Sequence, residues 1–374
     1  MSPSSVLTLN WETNTYNKQQ VDACINRVNW DALLIYASTL NSNKPCTLLE
    51  PTTNGGGHLI RLISLHDSDQ DSATKHDDKH KEEIWIARIQ LTPSTPESSA
   101  RLRSEINTMN LIRSRSTIAT PKIFGYSLSD EDSFNVGAAL TLMDFLPGSS
   151  AVDAHGGWEA HHGRVPIERR KKFYTDVARI QVQLSSIRLP AIGSVIKNDD
   201  GEYGVGPIPS LGGPFNTANE LLIASAGYAH DKSLHLRLRE LACQGKISNL
   251  RYNAGPFPLH HPDPYHSNII IDDEWAILGI IDWEGAWNMP RTFDDPGKYC
   301  VDGVLKDEEG RERVEERGEY VGFVRRMEEE LGVDGRLYDI LSDVRIQGLA
   351  YAVKVSLDSG KMGFYTKVLD GFEK

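Results

Sequence analysis

Three side chains in one short stretch have the types and spacing for phosphoryl chemistry. His261, Asp263 and Asn268 read H-x-D-x-x-x-x-N within Leu-His-His-Pro-Asp-Pro-Tyr-His-Ser-Asn, residues 259–268. Asp282 follows Asn268 by 14 residues, inside Ile-Ile-Asp-Trp-Glu. A carboxylate on a loop, such as Asp263, can accept the proton of an attacking hydroxyl within hydrogen-bond reach. Magnesium is a hard ion that takes oxygen ligands; Asn268 offers an amide carbonyl and Asp282 a carboxylate. His261 reads as a residue that holds the loop by hydrogen bonds rather than one that reacts. A competing set, His260, His261, Asp263 and His266, has zinc-ligand character and would suit a metal-dependent hydrolase. Such a site needs further ligands from neighbouring strands, and none stands out.

These groups meet only if the chain between them folds back. Ile269-Ile270-Ile271 and Ile277-Leu278-Gly279-Ile280-Ile281 flank Asp272-Asp273-Glu274, which predicts a β-hairpin joining Asn268 to Asp282. Upstream, the cluster Asn54-Gly55-Gly56-Gly57-His58 precedes the apolar run Leu59 to Leu65. Ile84 to Leu91 has the composition of a strand. Between the two runs, 66–83 is rich in Asp, Lys, His and Ser and reads as a polar insert. Residues 18–40 read as helical. Residues 97–113 read as a helix with Leu102, Ile106 and Met109 on one stripe, which carries Glu105. Ala138 to Phe145 is another strand-like run, closed by Pro147-Gly148 as a candidate hinge.

Beyond the hinge the texture turns helical. Residues 168–187 carry the stripe Phe173, Val177, Ile180 and Leu184. Residues 191–214 are rich in Gly and Pro and read as loop, 217–228 and 233–244 as helices, and the tail from 307 as a charged helix. Strands first with one helix, then mostly helices with one inserted hairpin, is a two-part α+β layout.

The bulk properties narrow the classes. A chain of 374 residues is too long for one ordinary core, which predicts two lobes around a cleft. The net charge of −12 argues against nucleic acid as partner and, less strongly, against an anionic membrane surface. It would favour a cationic substrate. The four cysteines, Cys24, Cys46, Cys243 and Cys300, form no CxxC pair. There is no apolar run of membrane-spanning length and no signal-like start, so a soluble cytoplasmic protein is expected.

The segment His261 to Glu284 resembles the catalytic loop and metal motif of the aminoglycoside phosphotransferase family, relatives of choline kinases and protein kinases. That family's loop reads H-G-D-x-x-x-x-N and its later motif I-D-W/F-E/G; Asp282-Trp283-Glu284 is closest to a fungal-type branch. Pro262 stands where glycine is usual, and Pro264-Tyr265-His266 replaces Leu-His-Pro. The resemblance covers roughly 50–300 in motif order. It implies a bilobal protein-kinase-like fold, with a β-rich N-lobe over 1–146 and a mostly helical C-lobe over 147–374. It also implies ATP and Mg2+ as cofactors and transfer of the γ-phosphate to a hydroxyl of a small molecule. Asp263 and His261 would be the catalytic residues, Asn268 and Asp282 the metal ligands. Arg88 falls where the family puts a phosphate-binding lysine on a strand, and Glu105, 17 residues later, where its partner carboxylate belongs. Gly56 and Gly57 would lie in the nucleotide-covering loop, and Met143 and Phe145 at the hinge that meets adenine. Arginine in place of lysine keeps the charge but is longer and planar. That departure leaves room for a binding or regulatory protein that keeps the fold without turnover.

Overall fold

The computed structural model describes residues 17–66, 83–161, 165–226, 232–244, 246, 253–263, 266–286 and 308–343. Most of the expected polar insert, 67–82, lies outside the described residues. The chain divides into two units: 1–110 with 119–163 and 269–281, and 111–118 with 164–268 and 282–374.

The first unit is built on a five-stranded antiparallel sheet in the order β1-β2-β3-β5-β4. Its strands are β1 (Cys46–Asn54), β2 (His58–Leu65), β3 (Glu83–Gln90), β4 (Ile123–Ser127) and β5 (Leu140–Asp144). Alternation along these strands sorts their residues onto two faces. One face sends Leu59, Ile63, Trp85, Ala87, Ile89, Leu140 and Leu142 into a core closed by α1 (Lys18–Arg27) and α2 (Trp30–Leu40). The two helices replace the single stretch expected over 18–40. The break comes at Val28, which is extended, and Asn29, whose side chain accepts a hydrogen bond from the Ala32 amide at 3.1 Å and so caps α2. On the opposite face, α3 (Pro96–Arg115) packs Leu102 and Ile106 against Ile123, Leu128 and Ala139. β1, at the end of the strand order, has a register shift between Leu49 and Thr53.

After β5 the chain reaches the short strand β6 (Ser149–Ser150) and the one-turn helix α4 (Gly157–His161). The second unit centres on α5 (Ile167–Ser186), which buries Phe173, Tyr174, Val177, Val182 and Leu184. The short strand β7 (Arg188–Leu189) follows, then the hairpin β8 (Ser194–Lys197) and β9 (Tyr203–Gly206), and the helices α6 (Ala218–Ala226) and α7 (Lys232–Cys243). β10 (Phe257–Pro258) pairs with β7, and the Leu259 amide continues that ladder to the Ile187 carbonyl. The β7–β10 pair therefore fixes where the segment from His260 onward begins. The hairpin β11 (Ile269–Ile271) and β12 (Ile277–Ile280) pairs in turn with β6 and groups with the first unit. Gly148 is needed at that junction, because a Cβ there would lie 2.2 Å from the Ile271 carbonyl oxygen.

The second unit is completed by α8 (Glu308–Leu331), packed along α5, and α9 (Arg336–Ser342). Between α8 and α9, Asp334 takes both arms of the Arg188 guanidinium at 2.6 and 2.7 Å. That pair ties β7, and through it β10, to the α8–α9 turn. The Arg188 hydrogen bonds hold the Asp334 carboxyl below the ordinary carboxylate value. A depressed carboxyl stabilises the fold above its unfolded pKa, and the benefit is lost as pH falls through the folded value. The side chains are 26% and 41% exposed, so screening limits the effect. Asp334→Asn should lower stability at pH 7 by up to about 1 kcal/mol, with the difference from wild type closing below about pH 4. Urea unfolding at the two pH values measures this.

Candidate functional site

In the second unit, His261 is buried and its Nδ1 accepts the backbone N–H of Asp263 at 3.1 Å. Its ring meets the Trp283 ring edge-on at 4.4 Å between centroids. The histidine thus occupies a positioning place, while Asp263 lies exposed. Asn268 closes the loop from its other end. Its Nδ2 donates to the Asp263 carbonyl at 2.8 Å and, at longer reach, to Asp263 Oδ2 at 3.4 Å. With the amide nitrogen turned to Asp263, the carbonyl oxygen Oδ1 is the end left for a cation.

The hairpin accounts for Asp282. Ile269 is paired with Ile280, so the strands run out together and return the chain from Asn268 to Asp282 at one end of the ladder. The turn at the far end is held by Asp272, whose Oδ1 accepts the amides of Glu274 and Ala276 at 2.9 and 2.8 Å. Asp282 itself has φ +62°, in the left-handed region that non-glycine residues seldom occupy. Trp283, next in the chain, is fully buried, and its carbonyl accepts the Ala286 amide. Burial of the indole pins the backbone on that side, so Asp282, an exposed residue, is held in an unfavourable conformation. Backbone strain of this kind persists only where the surroundings over-determine it.

The donor set suits a hard divalent ion: one amide oxygen and one carboxylate, with no thiolate or free imidazole between them. The zinc alternative is not assembled. Among the described residues no group of three or more His, Cys, Asp or Glu side chains is placed to share a metal. His266 instead lies buried, with its ring edge-on to Phe173 at 5.4 Å.

In the first unit, Arg88 and Glu105 form an ion pair at 2.8 Å, with side chains only 12% and 5% exposed. Arg88 stands opposite Ile60 on one side and Thr141 on the other, on the face of the sheet that α3 covers. Met143 is buried on the same face, opposite Ile86. Phe145 packs with Leu49, Leu62, Ile84 and Ile86 in an apolar strip. The turn before β2 is stitched by the Gly55 amide to the His58 carbonyl and by the Leu91 amide to the Gly57 carbonyl, each at 3.0 Å. A Cβ at Gly55, Gly56 or Gly57 would meet nothing within 4 Å, so internal packing is not what calls for glycine there.

One residue of this face, read from the sequence only as the end of the glycine cluster, takes its place here. His58 opens β2 directly opposite Gln90, two residues along from the Ile60–Arg88 pair, and so on the same side of the sheet as Arg88. Burial and then the Arg88 charge push its pKa down to about 3, which keeps it neutral. The period-two alternation of His58, Ile60 and Leu62 was the signal that could have placed it.

Two comparisons with known proteins bear on this arrangement. The fold is that of the kinase-like phosphotransferases: a protein from Ralstonia eutropha JMP134, described as an aminoglycoside phosphotransferase, superposes with a TM-score of 0.50. It is 14% identical, with 93% of this chain and 94% of the other covered. A macrolide 2'-phosphotransferase type I aligns over 92% of this chain and 97% of its own, at 15% identity and a TM-score of 0.46. The model of the phosphotransferase enzyme family (APH) matches residues 63–295, more than half of the chain. The chain belongs to that family, and is a phosphotransferase of the kinase-like kind. No curated protein matches it.

The Arg88–Glu105 pair is buried enough for a sharp test of its energetics. Arg88→Met leaves a buried carboxylate without its cation and should cost about 3–5 kcal/mol. The double variant Arg88→Met/Glu105→Leu should recover most of that loss, as read from urea midpoints of the three variants.

Proposed function

We propose that the protein transfers the γ-phosphate of ATP to a hydroxyl of a small molecule, with Mg2+ as cofactor. The observation that carries this reading is the joined loop: Asp263 held at its amide by His261 and at its carbonyl by Asn268, with Asp282 returned beside Asn268 by one hairpin.

In this reading Asp263 accepts the proton of the acceptor hydroxyl as its oxygen attacks phosphorus. Its exposure lets an acceptor approach, while the two backbone ties keep it from swinging away. His261 positions the loop and does not exchange the proton, since its Nδ1 is committed to the Asp263 amide. Asn268 Oδ1 and the Asp282 carboxylate would hold the magnesium ion. Bound there, the ion would draw negative charge from the phosphate oxygens of the nucleotide. Arg88 grips phosphate, and Glu105 keeps its guanidinium in one orientation. A planar fork can do this in a bidentate way, which supports arginine as a working substitute for lysine. Gly56 and Gly57 would cover the nucleotide without side chains in the way, and Met143 and Phe145 would border the base.

The functional division we propose follows chain order, with nucleotide binding over 1–146 and the catalytic loop, metal motif and acceptor site over 147–374. The acceptor is a hydroxyl-bearing small molecule, and the net charge of −12 favours a cationic one. The fungal-type likeness of Asp282-Trp283-Glu284 rests on that motif alone.

The test pairs two variants in assays with labelled ATP and a panel of hydroxyl-bearing small molecules. Asp263→Asn should lower transfer by about 10²- to 10⁴-fold with MgATP affinity nearly unchanged. Asp282→Asn should instead abolish the strengthening of ATP binding by Mg2+. Undiminished transfer by Asp263→Asn would refute the assignment. Tight MgATP binding by wild type with no transfer to any acceptor would favour a fold-retaining binding protein.

A further inference from the structure

We infer that His58 is a second phosphate ligand beside Arg88, and that it takes up a proton when nucleotide binds. The inference rests on the proposed reading that Arg88 meets nucleotide phosphate.

The geometry comes from the ladder. His58 pairs with Gln90 and Ile60 with Arg88, so His58 and Arg88 are diagonal neighbours on one face of β2 and β3. Diagonal positions of this kind are about 7–8 Å apart at the backbone, and long side chains there can reach one anion between them. His58 is also the first residue after the three glycines. A Cβ on any of those glycines would meet nothing within 4 Å, so among the described residues the turn that leads into His58 is open at those positions.

The electrostatics follow from the neighbours. Arg88 on β3 is the charge that acts on the ring. Glu105 on α3 is hydrogen-bonded to Arg88 and holds it in place. Gln90, across the strand pair, is uncharged, as are Thr53 and Asn54 on β1. In this setting the imidazole stays neutral, since burial and a nearby cation both oppose a charge on it. Nucleotide phosphates set between Arg88 and His58 reverse the sign of that field. An anion within a few ångströms favours the imidazolium, so the proton comes from solvent onto the ring and both ring nitrogens become donors.

The sign of the pH dependence is then set. The ring's pKa is higher in the nucleotide complex than in the nucleotide-free protein. Affinity is therefore strongest at low pH and falls as pH rises through the value in the complex. An ordinary histidine titrates within the range where the protein can be handled, which makes the effect measurable.

Isothermal titration of MgADP into wild type, His58→Gln and His58→Asn at pH 6, 7 and 8 tests this. The titrations are repeated at pH 6.5 in two buffers of different ionisation heat. Glutamine and asparagine keep a hydrogen-bond donor but cannot charge, so the variants supply the baseline for protons exchanged by the nucleotide itself. Circular dichroism checks that each variant is folded. Wild type should lose about tenfold in affinity from pH 6 to pH 8 relative to the variants, and take up a fraction of a proton that they do not. One shared pH profile and proton count for all three proteins would overturn the inference and leave the proposed function standing. Failure of wild type to bind MgADP at any of these pH values would instead sink the proposed function, and this inference with it.

Discussion

The hydrogen bonds from the Asn268 amide to Asp263 are the constraint on which the loop from His261 to Asn268 depends. An exposed carboxylate on a loop has many positions open to it, and only a loop tied at both ends gives it one. Asn268 ties the far end through the Asp263 carbonyl, and His261 ties the near end through the Asp263 amide. The same contact decides which end of the Asn268 side chain faces away from Asp263. A carboxylate at 268 could not make this tie, because it has no donor to give the Asp263 carbonyl.

Packing supports those ties. Trp283 lies against His261 and is itself fully buried, so one indole backs both the histidine and the left-handed backbone of Asp282. The β7–β10 pair anchors the incoming chain, and the Arg188–Asp334 pair anchors β7. In the first unit the equivalent support is the sheet. Its two faces are committed differently, one to α1 and α2, the other to α3 and the Arg88–Glu105 pair. An arginine with so little exposure on this face of the sheet is matched by a carboxylate from α3.

Much of this could be read from the chain. The H-x-D-x-x-x-x-N run and Asp282 lie close in sequence on a hairpin whose isoleucines announce it. Arg88 and Glu105 were legible as a strand cation and a helix acid. The strand β1 was not, because Pro51 and the glycines after it resemble a loop in sequence. The break between α1 and α2 was also missed, since Asn29 signals a cap only once the chain has been seen to turn there. The place of His58 was hidden because pleat side depends on register, and a shift of one residue would have turned it to the other face.

By itself the sequence determined the chemical inventory: which oxygen and nitrogen groups exist, how many residues separate them, and which short segments prefer helix or strand. Those properties are local, set by side-chain type and by alternation along the backbone. Tertiary structure alone decided which end of the Asn268 amide faces Asp263, that Asp282 adopts a left-handed backbone, and that His58 shares the face of Arg88. Each of these follows from burial and strand register, which arise only when distant segments compete for the same space.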